Sequence, residues 1–556
     1  MEVFINNKSY IANDNETIIE LTDRLGIHIP RFCYHKHLSV VASCRMCLVE
    51  VEGFSHAQPA CSTKLIENMK IHTKSDTTKK AQKATMEFLL INHPLDCPIC
   101  DQGGECELQD ISLEFGDDHS QYMQMKRVVP DRDISPLIST DMTRCIHCSR
   151  CVRFGEEISA CKELGLLDRG EEMKIDTFLD YGVSSELSGN MIDLCPVGAL
   201  NNKPYRYSAR TWDLSQHVGI SPHDCIGSNI YYHVYKNKIV RAVPCENESI
   251  NQTWLSDRDR FGYEGIYSND RIKSPMIRKN NELIECDWET ALDAANTELK
   301  KINNSNVNES GCLISPQSTC EELYLFQKLF KGLNIKNIDH RTKERDFSYQ
   351  DNFPAMPLFG CNFNMIDSFD NIVLVGVNIK KEFPILSPRL IKATRKKTKV
   401  FSFNFIPSNE DFPVEISLTH RPEDLLSIFM NLLTKNKNEN MQEEIEKISK
   451  NLIPGKKTLV IVGPTISQLD NQTEFHSILS EYSNQNNFTL GFLADQCNST
   501  SSWLLGLLPH RNLLGEKTKN IGLNAYEIIE NRLSSYIIYN LEPEYDFWNN
   551  LSLNKS

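Results

Sequence analysis

Between residues 93 and 106 the chain reads His93-Pro-Leu-Asp-Cys97-Pro-Ile-Cys100-Asp-Gln-Gly-Gly-Glu-Cys106, and cysteine groups flank this stretch on both sides. Eleven cysteines and one histidine make twelve candidate metal ligands, which divide into three sets of four. The first set is Cys33, Cys44, Cys47 and Cys61; the second set is His93, Cys97, Cys100 and Cys106; the third set is Cys145, Cys148, Cys151 and Cys195.

Composition limits what these sets can be. The 556 residues predict several domains, and a net charge of −14 argues against nucleic acid as a partner. No apolar run approaches the roughly 20 residues of a membrane helix, and the amino terminus shows no export or transit signal. We therefore expect a reducing compartment, in which clustered Cys-x2-Cys spacings indicate metal sites rather than disulfides.

Residues 1–76 show the order strand, strand, helix, cysteine loop, which is typical of a β-grasp ferredoxin. Alternating residues predict strands at Glu2–Ile5 and Ser9–Ile11, helical spacing follows over Thr17–Leu25, and a further strand is predicted at Leu48–Val51. Four thiolates on one small domain favour a [2Fe–2S] cluster, although x10 replaces the usual x4 between the first two cysteines. Zinc is the alternative for four cysteines that include a Cys-x2-Cys pair.

The second set follows a helix predicted over residues 77–92, which the proline after His93 ends. Three cysteines lack a nearby fourth partner, so His93 fills the vacancy and a one-histidine, three-cysteine [4Fe–4S] site is predicted. Gly103 and Gly104 are expected to let the backbone approach a bulky cluster. Zinc held by the same four side chains remains an alternative.

The third set lies in a stretch that follows the pattern of a two-cluster ferredoxin but lacks four of its cysteines. That pattern is Cys-x2-Cys-x2-Cys-x3-Cys-Pro, in which the fourth cysteine of each run binds the other cluster. The fourth position after Cys151 is Gly155, and the three positions that should precede Cys195-Pro196 hold no cysteine: Ser185, Ser188 and Met191. One [4Fe–4S] cluster is therefore predicted on the third set, and Cys161 is interpreted as a buried structural thiol.

Beyond about residue 209 the pattern changes to short apolar strands that alternate with helices. This alternation predicts an α/β domain with an open, largely parallel sheet, without a dinucleotide or phosphate-loop motif. The seven cysteines in this part show no ligand spacing and are interpreted as small buried residues: Cys225, Cys245, Cys286, Cys312, Cys320, Cys361 and Cys497.

Three redox clusters on a chain without a flavin- or nicotinamide-binding motif indicate electron transfer rather than catalysis. No catalytic residue is therefore predicted. Iron–sulfur centres carry single electrons at potentials set by ligand type, hydrogen bonds and burial. Arg45 and Arg144 could favour reduced clusters beside them, but surface positions are the stronger expectation for both.

The motifs closely resemble those of the large iron–sulfur subunit of respiratory complex I. The matching text includes Pro30-Arg-Phe-Cys-Tyr-His, Ser43-Cys-Arg-Met-Cys-Leu-Val-Glu, residues 93–106, Arg144-Cys-Ile-His-Cys-Ser-Arg-Cys-Val-Arg-Phe and Asp193-Leu-Cys-Pro-Val-Gly-Ala-Leu. The resemblance implies that all twelve candidate ligands hold one [2Fe–2S] and two [4Fe–4S] clusters. It also implies a degenerate molybdopterin-oxidoreductase-like domain in which no molybdenum is expected. Cys225 stands alone where some relatives carry a further cluster.

The resemblance implies a role within proton-translocating NADH:ubiquinone oxidoreductase. Electrons would pass from the FMN- and NADH-binding subunit to the iron–sulfur subunits of the quinone module. The location would be the peripheral arm, on the cytoplasmic side of a bacterial inner membrane or the matrix side of a mitochondrial one. Five segments are expected: the [2Fe–2S] β-grasp (1–76), the one-histidine, three-cysteine domain (77–117), a ferredoxin-like domain with one cluster (118–209), a molybdopterin-oxidoreductase entry segment (210–270) and the α/β domain (271–556).

Alternatives come from other classes. A molybdenum formate dehydrogenase should retain both ferredoxin clusters, and an iron-only hydrogenase needs clustered cysteines after residue 210. The whole chain could instead be a scaffold stabilised by zinc, without a redox function. The carboxyl-terminal half could also be only a structural docking platform.

Overall fold

The computed structural model describes residues 1–178, 182–304, 307–348, 350–352, 356–434, 443–452, 455–486 and 488–547. The chain forms two compact units. The first unit comprises residues 1–218, 231–245 and 254–260, and the second comprises residues 219–230, 246–253 and 261–556. All three ligand sets belong to the first unit.

Short elements dominate the first 261 residues. The strands are β1 (Glu2–Ile5), β2 (Lys8–Ile11), β3 (Leu48–Val51), β4 (Gln58–Pro59), β5 (Lys70–His72), β6 (Ile138–Thr140), β7 (Leu164–Leu167), β8 (Lys174–Thr177), β9 (Leu200–Asn202), β10 (Ser215–Ile220), β11 (Asn229–Tyr235) and β12 (Lys238–Pro244). The helices are α1 (Ile18–Arg24), α2 (Asp76–Leu90), α3 (Glu107–Phe115), α4 (Arg150–Glu157), α5 (Asn190–Leu194) and α6 (Asp257–Phe261).

A five-stranded sheet with the order β2-β1-β5-β3-β4 forms the predicted β-grasp. Asn6 and Asn7 join β1 to β2 at φ values of 48° and 66°, as a two-residue type I′ turn requires. Thr17 and Glu20 cap α1 reciprocally, so the helix begins where the sequence predicted. The sheet and α1 share one apolar core, and Cys47 and Cys61 of the first set are part of it.

Helix α2 confirms the helix predicted before His93 but packs through polar side chains. The Thr78 hydroxyl donates to the His72 carbonyl at 2.7 Å, and the Gln82 amide donates to the Leu48 carbonyl at 3.1 Å. Phe88, one of the apolar residues that suggested the helix, is 73% exposed. The buried face of the helix therefore combines these hydrogen bonds with the fully buried Met86.

The segments around the third set are held by two small antiparallel pairs. Strand β6 pairs with β9, and β7 pairs with β8. The pair β6–β9 brings the segment before Cys145 next to the segment after Cys195, because Thr140 lies opposite Leu200. Cys145 and Cys195, which are 50 positions apart in the sequence, thereby line one cavity.

The second unit is α/β, as predicted. Its strands are β13 (Met276–Lys279), β14 (Glu282–Glu285), β15 (Ser310–Ile314), β16 (Ile338–Asp339), β17 (Asn371–Val375), β18 (Lys399–Asn404), β19 (Ile416–Thr419), β20 (Thr458–Val462), β21 (Thr489–Phe492) and β22 (Ser535–Tyr539). Its helices are α7 (Trp288–Asn304), α8 (Cys320–Gly332), α9 (Ile379–Glu382), α10 (Ser387–Arg395), α11 (Pro422–Thr434), α12 (Glu443–Asn451), α13 (Gln472–Asn486), α14 (Ser499–Leu504), α15 (Ala525–Glu530) and α16 (Pro543–Asp546).

Two parallel sheets, rather than one, form the framework of this unit. The larger has the order β19-β18-β17-β20-β21, and its strand order reverses between β17 and β20. The smaller has the order β16-β15-β22 and is also parallel. Buried aliphatic and aromatic side chains cover the larger sheet, among them Val373, Phe401, Phe429 and Phe475. This doubly wound arrangement is typical of open α/β sheets.

Candidate metal centres

The four thiols of the first set lie together in the core of the β-grasp. All four are buried, and the Cys33 amide donates to the Cys44 Sγ at 3.4 Å. Hydrogen bonds from Cys44 and Cys61 hold the pKa of the Cys33 thiol far below its usual range, whereas contact with Cys33 raises the pKa of Cys44 and of Cys61. The ionisations oppose one another because thiolates at this distance repel. Four thiolates can coexist here only around cations, as a metal cluster provides.

The second set occupies the segment between α2 and α3. Cys100 and Cys106 are buried, Cys97 is exposed, and Cys106 precedes the first residue of α3. Burial raises the pKa of the Cys106 thiol to about 11. This set therefore reaches the protein surface on its Cys97 side.

His93 has the features of a metal ligand rather than of a solvated loop residue. Its Nδ1 atom is buried and has no hydrogen-bond partner among the described residues. Burial lowers the pKa of His93 to about 4, while a hydrogen bond to the Arg144 backbone acts in the opposite direction. A neutral imidazole with one nitrogen bonded to the backbone and the other unpaired is the usual state of a metal-binding histidine.

The third set encloses a small cavity of about 20 Å³. The lining consists of the four thiols and apolar side chains: Met142, Cys145, Ile146, Cys148, Cys151, Ile175, Cys195, Pro196, Val197, Ala199 and Leu200. Burial raises the pKa values of all four thiols, that of Cys148 to about 12. Backbone amides of Val197, Ala199 and Leu200 act in the opposite direction at Cys195. The site thus excludes water and favours thiolates only when a metal binds them.

The positions of the missing second ferredoxin cluster are filled by other groups. Met191 is fully buried, and the Ser188 hydroxyl donates to the Asp257 carboxylate at 2.6 Å. At Gly155, a Cβ atom would lie 2.8 Å from the Cys161 carbonyl oxygen. Protein groups therefore occupy the positions at which the two-cluster pattern has its other cysteines.

The remaining cysteines correct two expectations. Cys161 is half-buried, not buried, because it lies in the loop between α4 and β7. Of the seven cysteines beyond residue 209, Cys312 alone is fully buried, Cys320 is exposed, and the other five are half-buried. Cys312 lies within β15, whereas Cys320 begins α8, which explains the difference in exposure.

Arg45 and Arg144, both expected at the surface, differ in their exposure to solvent. Arg45 is exposed, as expected. The Arg144 side chain is only 4% exposed and forms ion pairs with Asp96 at 3.0 Å and Asp141 at 2.9 Å. Because Asp96 precedes Cys97 and Arg144 precedes Cys145, this arginine joins the second set to the third.

Gly103 and Gly104 lie where neighbouring groups leave little room for a side chain. A Cβ atom on Gly103 would lie 2.8 Å from the Arg210 Nη1 atom and 3.1 Å from the Cys97 carbonyl oxygen. Gly104 has a φ of +97° and packs against the Trp212 ring. The two glycines therefore allow the chain beyond residue 209 to approach the second set.

Among the described ranges, every helix falls short of the length and apolar character that a membrane crossing needs.

Five family models match successive parts of the chain. Their descriptions and matched residues are the 2Fe-2S iron-sulfur cluster binding domain (1–76), the NADH-ubiquinone oxidoreductase-G iron-sulfur binding region (82–121), the NADH-quinone oxidoreductase subunit 3 ferredoxin-like domain (135–201), the NADH-ubiquinone oxidoreductase NDSU1/NuoG-like 4Fe-4S domain (218–264) and molybdopterin oxidoreductase (271–533). These matches confirm the predicted fold class. In residues 218–264 the cysteines are Cys225 and Cys245, which are too few for a four-thiolate cluster.

Curated relatives and a solved structure extend the comparison. The NADH-ubiquinone oxidoreductase 75 kDa subunit of Reclinomonas americana is 36% identical over 97% of this chain and 79% of its own length. The NADH-quinone oxidoreductase G subunit of Rickettsia typhi is 39% identical over 71% of this chain, and that of Rickettsia felis is 38% identical over 69%. The chain spans less than two thirds of these Rickettsia proteins, 58% and 56%.

A crystal structure of NAD+-reducing [NiFe]-hydrogenase in the H2-reduced state matches 37% of this chain and 89% of its own, at 25% identity and a TM-score of 0.35. The identity and coverage of the Reclinomonas protein, together with the order of the matched domains, confirm the resemblance seen in the motifs. The chain belongs to the family of the 75 kDa subunit, or G subunit, of respiratory NADH–quinone oxidoreductase, an iron–sulfur electron-transfer protein.

Proposed function

We propose that this chain relays single electrons through one [2Fe–2S] cluster on the first set and one [4Fe–4S] cluster on each of the second and third sets. The observation that supports the proposal is that all three candidate four-ligand sets lie within one compact unit. When bound, the clusters supply one-electron redox chemistry at potentials that the surrounding protein adjusts.

The residues of the chain give the three sites different surroundings. The first and third sets are shielded by apolar core, whereas the second set opens to the surface at Cys97. Amide groups directed at Cys195 stabilise added negative charge on the third site. The neutral imidazole of His93 gives the second site one negative charge fewer than an all-cysteine site. Three different potentials are the expected consequence.

Contacts between the ligand segments support transfer between neighbouring sites. The Arg153 Nη2 atom donates to the carbonyls of both Cys33 and Cys148, which belong to the first and third sets. The Cys100 Sγ atom lies 2.2 Å from where a Cβ atom on Gly198 would stand, so the second set touches the segment that follows Cys195. The third set therefore has direct neighbours on both sides.

We propose the wider setting from the relatives. The electron donor is the FMN- and NADH-binding subunit, the acceptors are the iron–sulfur subunits that lead to ubiquinone, and the chain lies in the peripheral arm on the cytoplasmic or matrix side of the membrane. The segment boundaries 1–76, 77–117, 118–209, 210–270 and 271–556 remain part of this proposal.

One cavity of the second unit, at the carboxyl ends of β20 and β21, does not fit a molybdenum cofactor. It measures about 130 Å³, close to the size that accepts one aromatic ring. The described lining contains no cysteine, and its cations are already paired, Lys343 with Asp495 and Arg341 with Asp339. We propose that this unit serves as a structural body.

Metal analysis of anaerobically purified protein tests the proposal. About ten irons with matching acid-labile sulfide are expected per chain, the sum of one two-iron and two four-iron clusters. Cys44→Ser should remove two of these irons, Cys145→Ser should remove four, and the control Cys161→Ser should remove none. Stoichiometric zinc with little iron would instead favour the zinc-stabilised scaffold.

A further inference from the structure

Arg150 contacts segments of all three ligand sets. It lies between Cys148 and Cys151 at the first position of α4, and its side chain is 6% exposed. Its Nη2 atom donates to the Tyr34 carbonyl at 3.1 Å, next to Cys33. Its Nη1 atom donates to the Leu194 carbonyl at 3.3 Å, next to Cys195.

The third partner of this guanidinium is a carboxylate beside the second set. Arg150 forms a bidentate pair with Glu107, with Nη1 to Oε1 at 2.7 Å and Nη2 to Oε2 at 3.0 Å. Glu107 directly follows Cys106. One side chain thus binds groups that are each a single residue away from a ligand of each set.

The geometry requires arginine rather than a generic cation. A guanidinium is planar and carries donors on two terminal nitrogens, so it can hold a carboxylate and two carbonyls in fixed directions. A lysine ammonium is a point charge on a flexible stem and cannot reproduce this fork. Placing a charge at this depth is unfavourable unless such bonds compensate it.

Neighbouring arginines provide a comparison. Arg153 joins the first and third sets, and Arg144 joins the second and third. The contacts of Arg150 reach all three, and its charge acts on the thiols of Cys148 and Cys195.

We propose that Arg150 is the positioning residue of the relay. It fixes the separations between the three clusters and places one buried positive charge where all three are affected. The proposal rests on the proposed function, because it requires the clusters to be bound.

The charge and the geometry have separable consequences. Removing a buried unit charge within about 10 Å of a cluster, at an effective dielectric constant of about 20, changes a reduction equilibrium roughly tenfold. For one electron this is about 59 mV. Loss of the positive charge disfavours reduction, so the potentials should fall. Loss of the negative charge of Glu107 should raise the potential of the second cluster.

The test combines Arg150→Gln, Arg150→Lys and Glu107→Gln with the control Arg24→Gln, which changes a 44% exposed arginine of the same unit. Iron content, the midpoint potential of each EPR signal and spin–spin broadening between clusters are measured on the full chain. Arg150→Gln should lower the reduction equilibrium constants of at least two clusters about tenfold, which corresponds to a fall of about 59 mV in each potential. Arg150→Lys keeps the positive charge, so its reduction equilibrium constants should lie within about threefold of wild type, while the spin–spin broadening should still differ from wild type. The control Arg24→Gln should change neither quantity.

Opposite shifts for Arg150→Gln and Glu107→Gln distinguish this role from a general loss of structure. If Arg150→Gln loses iron, the potentials of Glu107→Gln become the test of the proposal, because this variant keeps Arg150 and its bonds to the two carbonyls. The proposal is overturned if Glu107→Gln leaves the potential and the broadening of the second cluster unchanged. It is also overturned if Arg150→Gln with full iron content keeps the reduction equilibrium constants of all three clusters within twofold of wild type. Wild-type protein without about ten irons would refute the proposed function instead.

Discussion

Replacing Gly198 by alanine should eject the cluster of the second set without unfolding the protein. A Cβ atom at this position would stand 2.2 Å from the Cys100 Sγ atom and 3.2 Å from the Gln102 Cβ atom. Ordinary contact begins at 3.4 Å, so the sulfur would have to move by about 1.2 Å. Metal–ligand distances tolerate only about 0.2 Å, which makes the displaced thiolate unable to bind.

The assay is iron quantitation with EPR of the reduced protein. Gly198→Ala should contain about six irons instead of about ten, with the signals of the first and third clusters retained. The overpacking should also lower the free energy of unfolding by about 1–3 kcal/mol. Gly332→Ala is the matched control, because no atom lies within 4 Å of a Cβ there and the residue ends α8. Ten irons and unchanged spectra in Gly198→Ala would refute the reasoning.

Three further predictions concern charge, pH and the second unit. His93→Cys replaces a neutral imidazole by a thiolate and should lower the potential of the second cluster by about 59 mV or more in a potentiometric titration; an unchanged potential would exclude His93 as a ligand. Burial raises the pKa of Glu410 from 4.5 to about 7, aided by Asp411 and Glu382, so the folded state holds the extra proton and loses stability as pH rises through this range. The stability of Glu410→Gln relative to wild type should therefore rise by up to about 2–3 kcal/mol between about pH 5 and 8 in denaturant titrations, and a pH-independent difference would contradict this. Phe429→Ala, in the core of the larger sheet, should lower the free energy of unfolding of the second unit by about 3–5 kcal/mol while iron content stays constant; loss of iron would show that the units depend on each other.

Features that depend on local sequence could be predicted. The predicted strands Glu2–Ile5 and Ser9–Ile11 are joined at Asn6 and Asn7, whose φ values of 48° and 66° asparagine tolerates better than most residues. The twelve candidate ligands were equally visible, since a cluster needs several thiolates at short spacing. The structure places the four thiols of the first set in contact and those of the third set around one cavity, and the individual ligands stay a prediction.

Features that depend on distant partners could not be predicted. Arg150 stands among three cysteines in sequence and resembles any exposed charged loop residue, yet its partners lie 43 to 116 positions away. The same holds for Asp257, which fills the space of a lost cluster from 69 residues beyond Ser188. A buried charge is acceptable only when its partners are present, and a single sequence does not contain that information.

The interior of helix α2 shows a related limit. Apolar periodicity correctly located the helix, but it did not reveal that Thr78 and Gln82 bond to the carbonyls of His72 in β5 and Leu48 in β3. Hydrogen bonds from polar side chains to backbone carbonyls of distant strands leave no apolar periodicity in the sequence.

The central claim is that three clusters, one of two irons and two of four, are carried by one chain. An EPR-monitored redox titration of the anaerobic protein with spin quantitation tests it most directly. Three separate one-electron transitions are expected that sum to about three spins per chain, one with two-iron character and two with four-iron character. Fewer than three transitions, or iron-free protein that contains zinc, would contradict it.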